Sequence, residues 1–271
     1  MTVLGISSIY KYPKALIGAI KESALLGFRH INIFAYPPHF KEDSEEYIRK
    51  VSKALLEYGI DCSIKIQGYT LNLAATNPNL RKKSIDEVIY WIYVASRLNC
   101  SAVILRAGMF FYSERVFRDR TYDRLVKTLR GIIDKAHEVG LDVYVENYPY
   151  PFDIIVLPSD FARLSRDVHS RLHFALNIPH LYDIYKNRRV DVNTELQLVL
   201  PWTRMAYVSD YINPWDCPHR ILEAEEEKFR EFTERVLRTI KRGELGLLII
   251  VGYSKEDIIK IKEYLTEAEL I

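Results

Sequence analysis

Eight short apolar runs, each followed by a longer stretch with apolar residues at helical spacing, occupy nearly all of the 271 residues. In order they read VLGISSI, HINIFAY, DCSIKIQ, SAVILR, LDVYVE, LHFALN, RMAYVSD and LGLLIIV. Runs that are apolar almost throughout belong to strands buried on both faces, as parallel strands are. Strand and helix alternating in this way predict a parallel α/β fold. Eight units in a chain of this length predict a (β/α)8 barrel. The rival, a doubly wound open sheet, lacks its GxGxxG after the first run. No linker or low-complexity insert interrupts the pattern, so one domain over 1–271 is expected. Helix signals agree: Ser84 with Glu87 and Ser254 with Asp257 fit capping boxes, and Gly140 fits a C-terminal cap.

Composition then removes several classes of function. Hydrophobic residues make up 48%, enough for a full core, and 38 basic against 36 acidic side chains leave a net charge of +2. A charge so balanced carries no bulk attraction for nucleic acid. Basic clusters at 81–83, 115–120 and 188–189 could follow a phosphate backbone, but they read first as solvated faces. The three cysteines, Cys62, Cys100 and Cys217, are far apart and form no CxxC pair. They predict neither a disulfide framework nor a zinc ribbon, and suit a reducing cytoplasm. No signal-peptide order opens the chain, and no apolar run approaches a membrane span. Abundant Lys, Glu and Arg with only 3 methionines hint at a thermophilic source.

Chemistry in such a barrel sits where strands end and βα loops begin. The second strand leads to Tyr36 and His39, the third to Gln67 and Tyr69, and the fourth to Arg106. The fifth ends in Glu146 and Asn147, the sixth in Asn177 and His180, and the seventh in Tyr207, Ser209 and Asp210. The eighth offers only Val251 and Gly252. A carboxylate closing a buried strand, as Glu146 does, is expensive to desolvate unless it is paired or holds something. Nine aromatic residues fall in the same loops, Tyr36, Tyr69, Phe110, Tyr148 and Tyr150 among them, where rings can stack on a sugar face or plug the mouth.

The order of these motifs resembles the xylose-isomerase-like barrel superfamily, which includes endonuclease IV-type AP endonucleases and sugar-phosphate isomerases and epimerases. VYVENYP resembles the family's fifth-strand segment, where Glu followed by Asn binds metal. LNIPH resembles its sixth-strand Asp-x-x-His, and AYVSD its seventh-strand His-x-x-Asp. The departures are as informative. Gln67 and Arg106 stand where the family has histidines, Asn177 where it has Asp, Tyr207 where it has His, and Val251 nearest to its eighth-strand Glu. Of the epimerases' four ligand positions only Glu146 survives, and a divalent ion needs about three or more protein ligands. The resemblance therefore implies a barrel whose metal site is largely lost. A rebuilt manganese or zinc site would draw on Glu146, His180, Asp216 and His219.

These readings combine into one expectation. The site takes a small sugar, sugar phosphate or anionic ligand, with Glu146 as base and Arg106 as the group that stabilises a developing oxyanion. Arg106 and Glu146, at the ends of adjacent strands, are expected to form a buried ion pair that replaces the metal. Gln67, Tyr69, Asn147, Asn177, His180, Tyr207 and Asp210 are the expected substrate contacts, with His180 also suited to capping a helix. A non-catalytic ligand- or partner-binding barrel is the alternative, and a metal-dependent DNA-repair nuclease the third.

Overall fold

The computed structural model describes residues 2–11, 15–36, 39–40, 44–66, 71–110, 117–168, 171–188, 190–209 and 223–271. The chain runs β1 (Val3–Ser7), α1 (Leu16–Leu25), β2 (His30–Ala35), α2 (Glu45–Tyr58), β3 (Asp61–Ile66) and α3 (Pro78–Arg97). It continues through β4 (Ala102–Arg106), α4 (Arg118–Glu138), β5 (Asp142–Glu146), α5 (Pro158–Val168), β6 (Leu172–Asn177), α6 (Ile178–Asn187) and α7 (Val192–Gln197). It ends with β7 (Thr203–Val208), α8 (Glu223–Ile240), β8 (Leu247–Ile250) and α9 (Lys255–Glu267). Each strand pairs in parallel with the next, and β1 pairs with β8, so the sheet closes into the expected eight-stranded barrel. Among the described residues no helix is long and apolar enough to cross a membrane.

Local sequence explains where the helices begin and end. Ser44 accepts from the Tyr47 amide at the start of α2, and Gly59 closes that helix at φ +61°, a conformation a side chain resists. Ser254 and Asp257 form the expected capping box on α9. The expected box at Ser84 and Glu87 is not a helix start. Asn77 caps α3 and Pro78 supplies its first turn, which places Ser84 inside the helix. There the Ser84 hydroxyl donates to Leu80 and accepts from the Asn72 amide, while Glu87 accepts from the Trp91 indole. Gly140, at φ +76°, follows α4 as a cap should.

Two cores result from the alternation of side chains along each strand. Outward residues such as Ile31, Ile33, Ile64, Val103, Val143 and Val145 pack against the helices. Inward ones are of two kinds. Ile9, Ile104, Ala175, Met205, Tyr207, Ile249 and Val251 form an apolar cluster. His30, Asn32, Ser63, Lys65, Glu146 and Asn177 are buried polar residues. Gly5 makes this packing feasible, since a Cβ there would lie 2.6 Å from Ile249 Cδ1 and 3.2 Å from His30 Cβ.

The cysteine expectation needs correction. Cys62 on β3 and Cys100, just before β4, are joined in a disulfide with Cα atoms 4.6 Å apart. Thirty-eight positions separate them in sequence, but adjacent parallel strands bring their ends together, which spacing alone cannot reveal. The argument for a reducing compartment loses its support.

Candidate active site

Glu146 ends β5 inside the barrel and is 1% exposed. Its charge is met by a residue the sequence reading passed over. Lys65 Nζ donates to Glu146 Oε1 at 2.8 Å and lies 2.7 Å from Oε2. Register explains the reach. Lys65 is level with Ile104, and Ile104 with Tyr144, so Lys65 starts two residues below Glu146 and its four-carbon stem covers the difference. The ammonium also lies 4.5 Å from the centroid of the Tyr207 ring, a cation–π contact.

Around this pair the polar groups interlock. Asn177 Nδ2 donates to Glu146 Oε1 at 2.8 Å, and Asn177 Oδ1 accepts from the His180 amide at the start of α6. Asn147 positions Asn177: its Oδ1 accepts from the Asn177 amide and its Nδ2 donates to the Asn177 carbonyl. His180 Nδ1 lies 2.8 Å from the Asn147 carbonyl, which only accepts, so Nδ1 carries the proton. Burial pushes the His180 pKa down to about 4, although Glu146 pulls the other way, so the ring is neutral near pH 7. The Tyr207 hydroxyl donates to Asn32 Oδ1 at 3.3 Å, and burial first, then Glu146, raises its pKa well above 10. Asn32 continues to Ser63, which also meets His30 Nε2 at 2.9 Å. A chain of polar contacts thus descends the β2–β3 side of the lumen.

The expected Arg106–Glu146 ion pair does not form, although the two residues are register partners. Arg106 instead donates through Nε to Asp153 Oδ1 at 2.7 Å, with its terminal nitrogen 2.6 Å from the same oxygen. The guanidinium carbon lies 4.6 Å from the Tyr148 ring centroid and 5.9 Å from those of Tyr150 and Phe152. Asp153 reaches this place because the β5–α5 loop folds back on the β4–α4 loop. Phe110 donates to the Phe152 carbonyl and Ile154 to that of Gly108, around a bridge between Met109 and Asp153. Burial outweighs the arginine and raises the Asp153 pKa to about 6. Asp153 also borders a cleft of about 370 Å³ whose wall balances Arg118, Arg163 and Arg188 with Asp119 and Asp160.

Of the expected site residues, Glu146, Asn147, Asn177 and His180 converge, and Tyr207 joins them through Lys65. Gln67, Tyr69, Asp210, Asp216 and His219 lie outside the described residues. Two residues were missed. Lys65 could have been found from alternation, since it shares the inward parity of Ser63 in a strand whose Cys62, Ile64 and Ile66 face the helices. Asp153 carries no signal in the sequence, because a loop's path is set by tertiary contacts.

The described donors around Glu146 do not fit a divalent ion. The ammonium of Lys65 already sits against both oxygens of Glu146, Asn177 turns its NH2 donor toward that carboxylate, and His180 commits Nδ1 to a carbonyl. Among the described residues no three His, Cys, Asp or Glu side chains gather as a metal site would need.

Comparison with known proteins adds the wider setting. The model of the family described as xylose isomerase-like TIM barrel matches residues 20–240. An uncharacterised protein of Methanocaldococcus jannaschii is 20% identical over 240 residues, covering 88% of this chain and 84% of that protein. The crystal structure of a D-tagatose 3-epimerase-like protein superposes with a TM-score of 0.81 at 20% identity, covering 99% of this chain and 97% of its own. That of a D-psicose 3-epimerase in the presence of D-fructose gives 0.73 at 17% identity, again covering 99% and 97%. Identities this low speak to the shared fold.

Proposed function

Because the chain belongs to the xylose isomerase-like TIM barrel family, we propose that it acts on a small sugar, moving a proton at the carbon beside a carbonyl without a bound divalent ion. The observation that carries this reading is the cation already seated on Glu146: Lys65 Nζ within 2.8 Å of both carboxylate oxygens at the mouth end of the lumen. In the family's terms the ammonium stands where the resemblance puts a metal. Glu146 is the base that takes the proton from carbon, and Lys65 stabilises the negative charge that develops on the substrate oxygen. Asn177, held by Asn147, fixes the carboxylate and offers a second polar contact. His180 is a neutral neighbour 4.0 Å from Glu146. Arg106, occupied by Asp153 and facing aromatic rings, moves from electrophile to organiser of the adjacent loops. The structural likeness to a D-tagatose 3-epimerase-like protein and a D-psicose 3-epimerase supports a sugar as substrate class.

The test is exchange in heavy water. A panel of ketoses and their phosphates, incubated with EDTA-treated protein, is followed by proton NMR for loss of the signal next to the carbonyl. Deuterium uptake that survives EDTA and vanishes in Glu146→Gln supports the proposal. Uptake only after manganese or zinc is added back overturns the metal-free part. A second reading, a barrel that binds such ligands without turning them over, draws on the near-complete burial of Glu146. Calorimetric binding with no exchange in any sugar would select it.

A further inference from the structure

Lys65 has more chemistry available than its charge. It is the only lysine among the buried polar residues described, and its side chain retains 9% exposure while that of Glu146 retains 1%. Its stem starts two residues deeper in the barrel than Glu146 and brings the amine up to the carboxylate at the strand end. Its described contacts are one carboxylate and one aromatic face. A primary amine buried against a carboxylate that can take its proton is the arrangement by which lysine becomes a nucleophile toward carbonyl carbon. The site also needs an electron sink. Arg106, the other buried cation at the strand ends, is engaged by Asp153, and no cluster of metal-ligating side chains stands among the described residues.

We propose that Lys65 forms a Schiff base with the carbonyl carbon of an open-chain ketose, an inference that rests on the sugar-directed reading above and deepens it. Glu146 accepts a proton from the ammonium, the freed Nζ adds to the carbonyl carbon, and a second proton passes from that nitrogen to the former carbonyl oxygen to give the carbinolamine. Glu146 then returns the proton to the hydroxyl of the carbinolamine, which leaves as water. In sum, a ketone and an ammonium give a protonated imine and one water, with no change of oxidation state. The iminium nitrogen draws electrons from the neighbouring C–H bond, so Glu146, again a free carboxylate, removes that proton and an enamine forms. Reprotonation of the enamine and hydrolysis of the imine release the product and restore Lys65. The Tyr207 ring, against Nζ, favours the cationic states of this nitrogen along the path.

Borohydride trapping decides the matter. The intact protein is incubated with D-fructose, D-tagatose or dihydroxyacetone in EDTA, reduced with sodium cyanoborohydride or borohydride, and examined by intact mass and peptide mapping. Heavy-water exchange is run on the same samples. The expected result is one reduced adduct on the peptide carrying Lys65, at least tenfold less in Lys65→Arg, which keeps the charge but cannot form the imine. Circular dichroism confirms that this variant is folded, and the wild-type mapping stands without it. Exchange without an adduct at Lys65 overturns the Schiff base and leaves the ammonium acting electrostatically. An adduct at Lys65 without exchange supports the Schiff base and removes the proton-transfer reading. Adducts spread over exposed lysines and unchanged in Lys65→Arg, or no adduct and no exchange, overturn the inference.

Discussion

Lys65→Met tests the central pair directly. The substitution keeps an unbranched stem of similar length and removes only the ammonium. Glu146 then remains 1% exposed with its contact from Asn177 as the surviving described donor. Breaking a buried ion pair by deleting one partner costs about 3–5 kcal/mol, because the other charge stays buried without compensation. Against a total stability of about 5–15 kcal/mol, the variant folds with a much lower denaturation midpoint. Adding Glu146→Gln to it removes the stranded charge while keeping an acceptor for Asn177 Nδ2. The double variant should therefore recover more than half of the loss, a coupling of about 2–3 kcal/mol for residues in direct contact. Guanidinium denaturation of the wild type, both single variants and the double variant, at one pH and salt concentration, closes the cycle. A loss below about 1 kcal/mol in Lys65→Met, or no recovery in the double variant, would refute the claim that the pair is buried and mutually dependent.

Three further outcomes follow from the structure. Burial lowers His30 and His180 from 6.5 to about 4, so each stabilises the fold fully above pH 6.5 and loses that contribution as pH falls through 4. At 1.36 kcal/mol per pKa unit this is about 3 kcal/mol per histidine; His30→Gln should flatten the acid limb of a stability–pH curve by about that amount, and an unchanged limb would contradict the assignment. Titration of thiols in non-reducing guanidinium should find one of the three cysteines, Cys217, since Cys62 and Cys100 are bonded to each other; three thiols would show the bond absent. Gly5→Ala should cost about 1–3 kcal/mol through overpacking against Ile249 Cδ1, and Ile249→Val, which lacks that atom, should restore most of it in thermal or chemical denaturation.

The barrel was legible from periodicity because parallel strands are buried on both faces and their helices on one, which leaves most residues of each strand apolar. VYVE and LHFALN advertise their burial locally, and Ser254 with Asp257 marks the start of its helix, as Ser84 with Glu87 did not. The convergence of Glu146, Asn147, Asn177 and His180 was legible too, since strand ends of one barrel share a mouth. Partner choice was not. Arg106 and Glu146 are register neighbours and opposite in charge, yet Glu146 takes Lys65 from the next-but-one strand and Arg106 takes Asp153 from a loop. The same holds for Cys62 and Cys100, brought together by adjacent strands. An ion pair depends on where two side-chain ends meet at hydrogen-bond distance, and those ends are placed by inward parity, stem length and the route of a loop. Parity can be read along a strand, whereas the loop's route exists only once the barrel has closed.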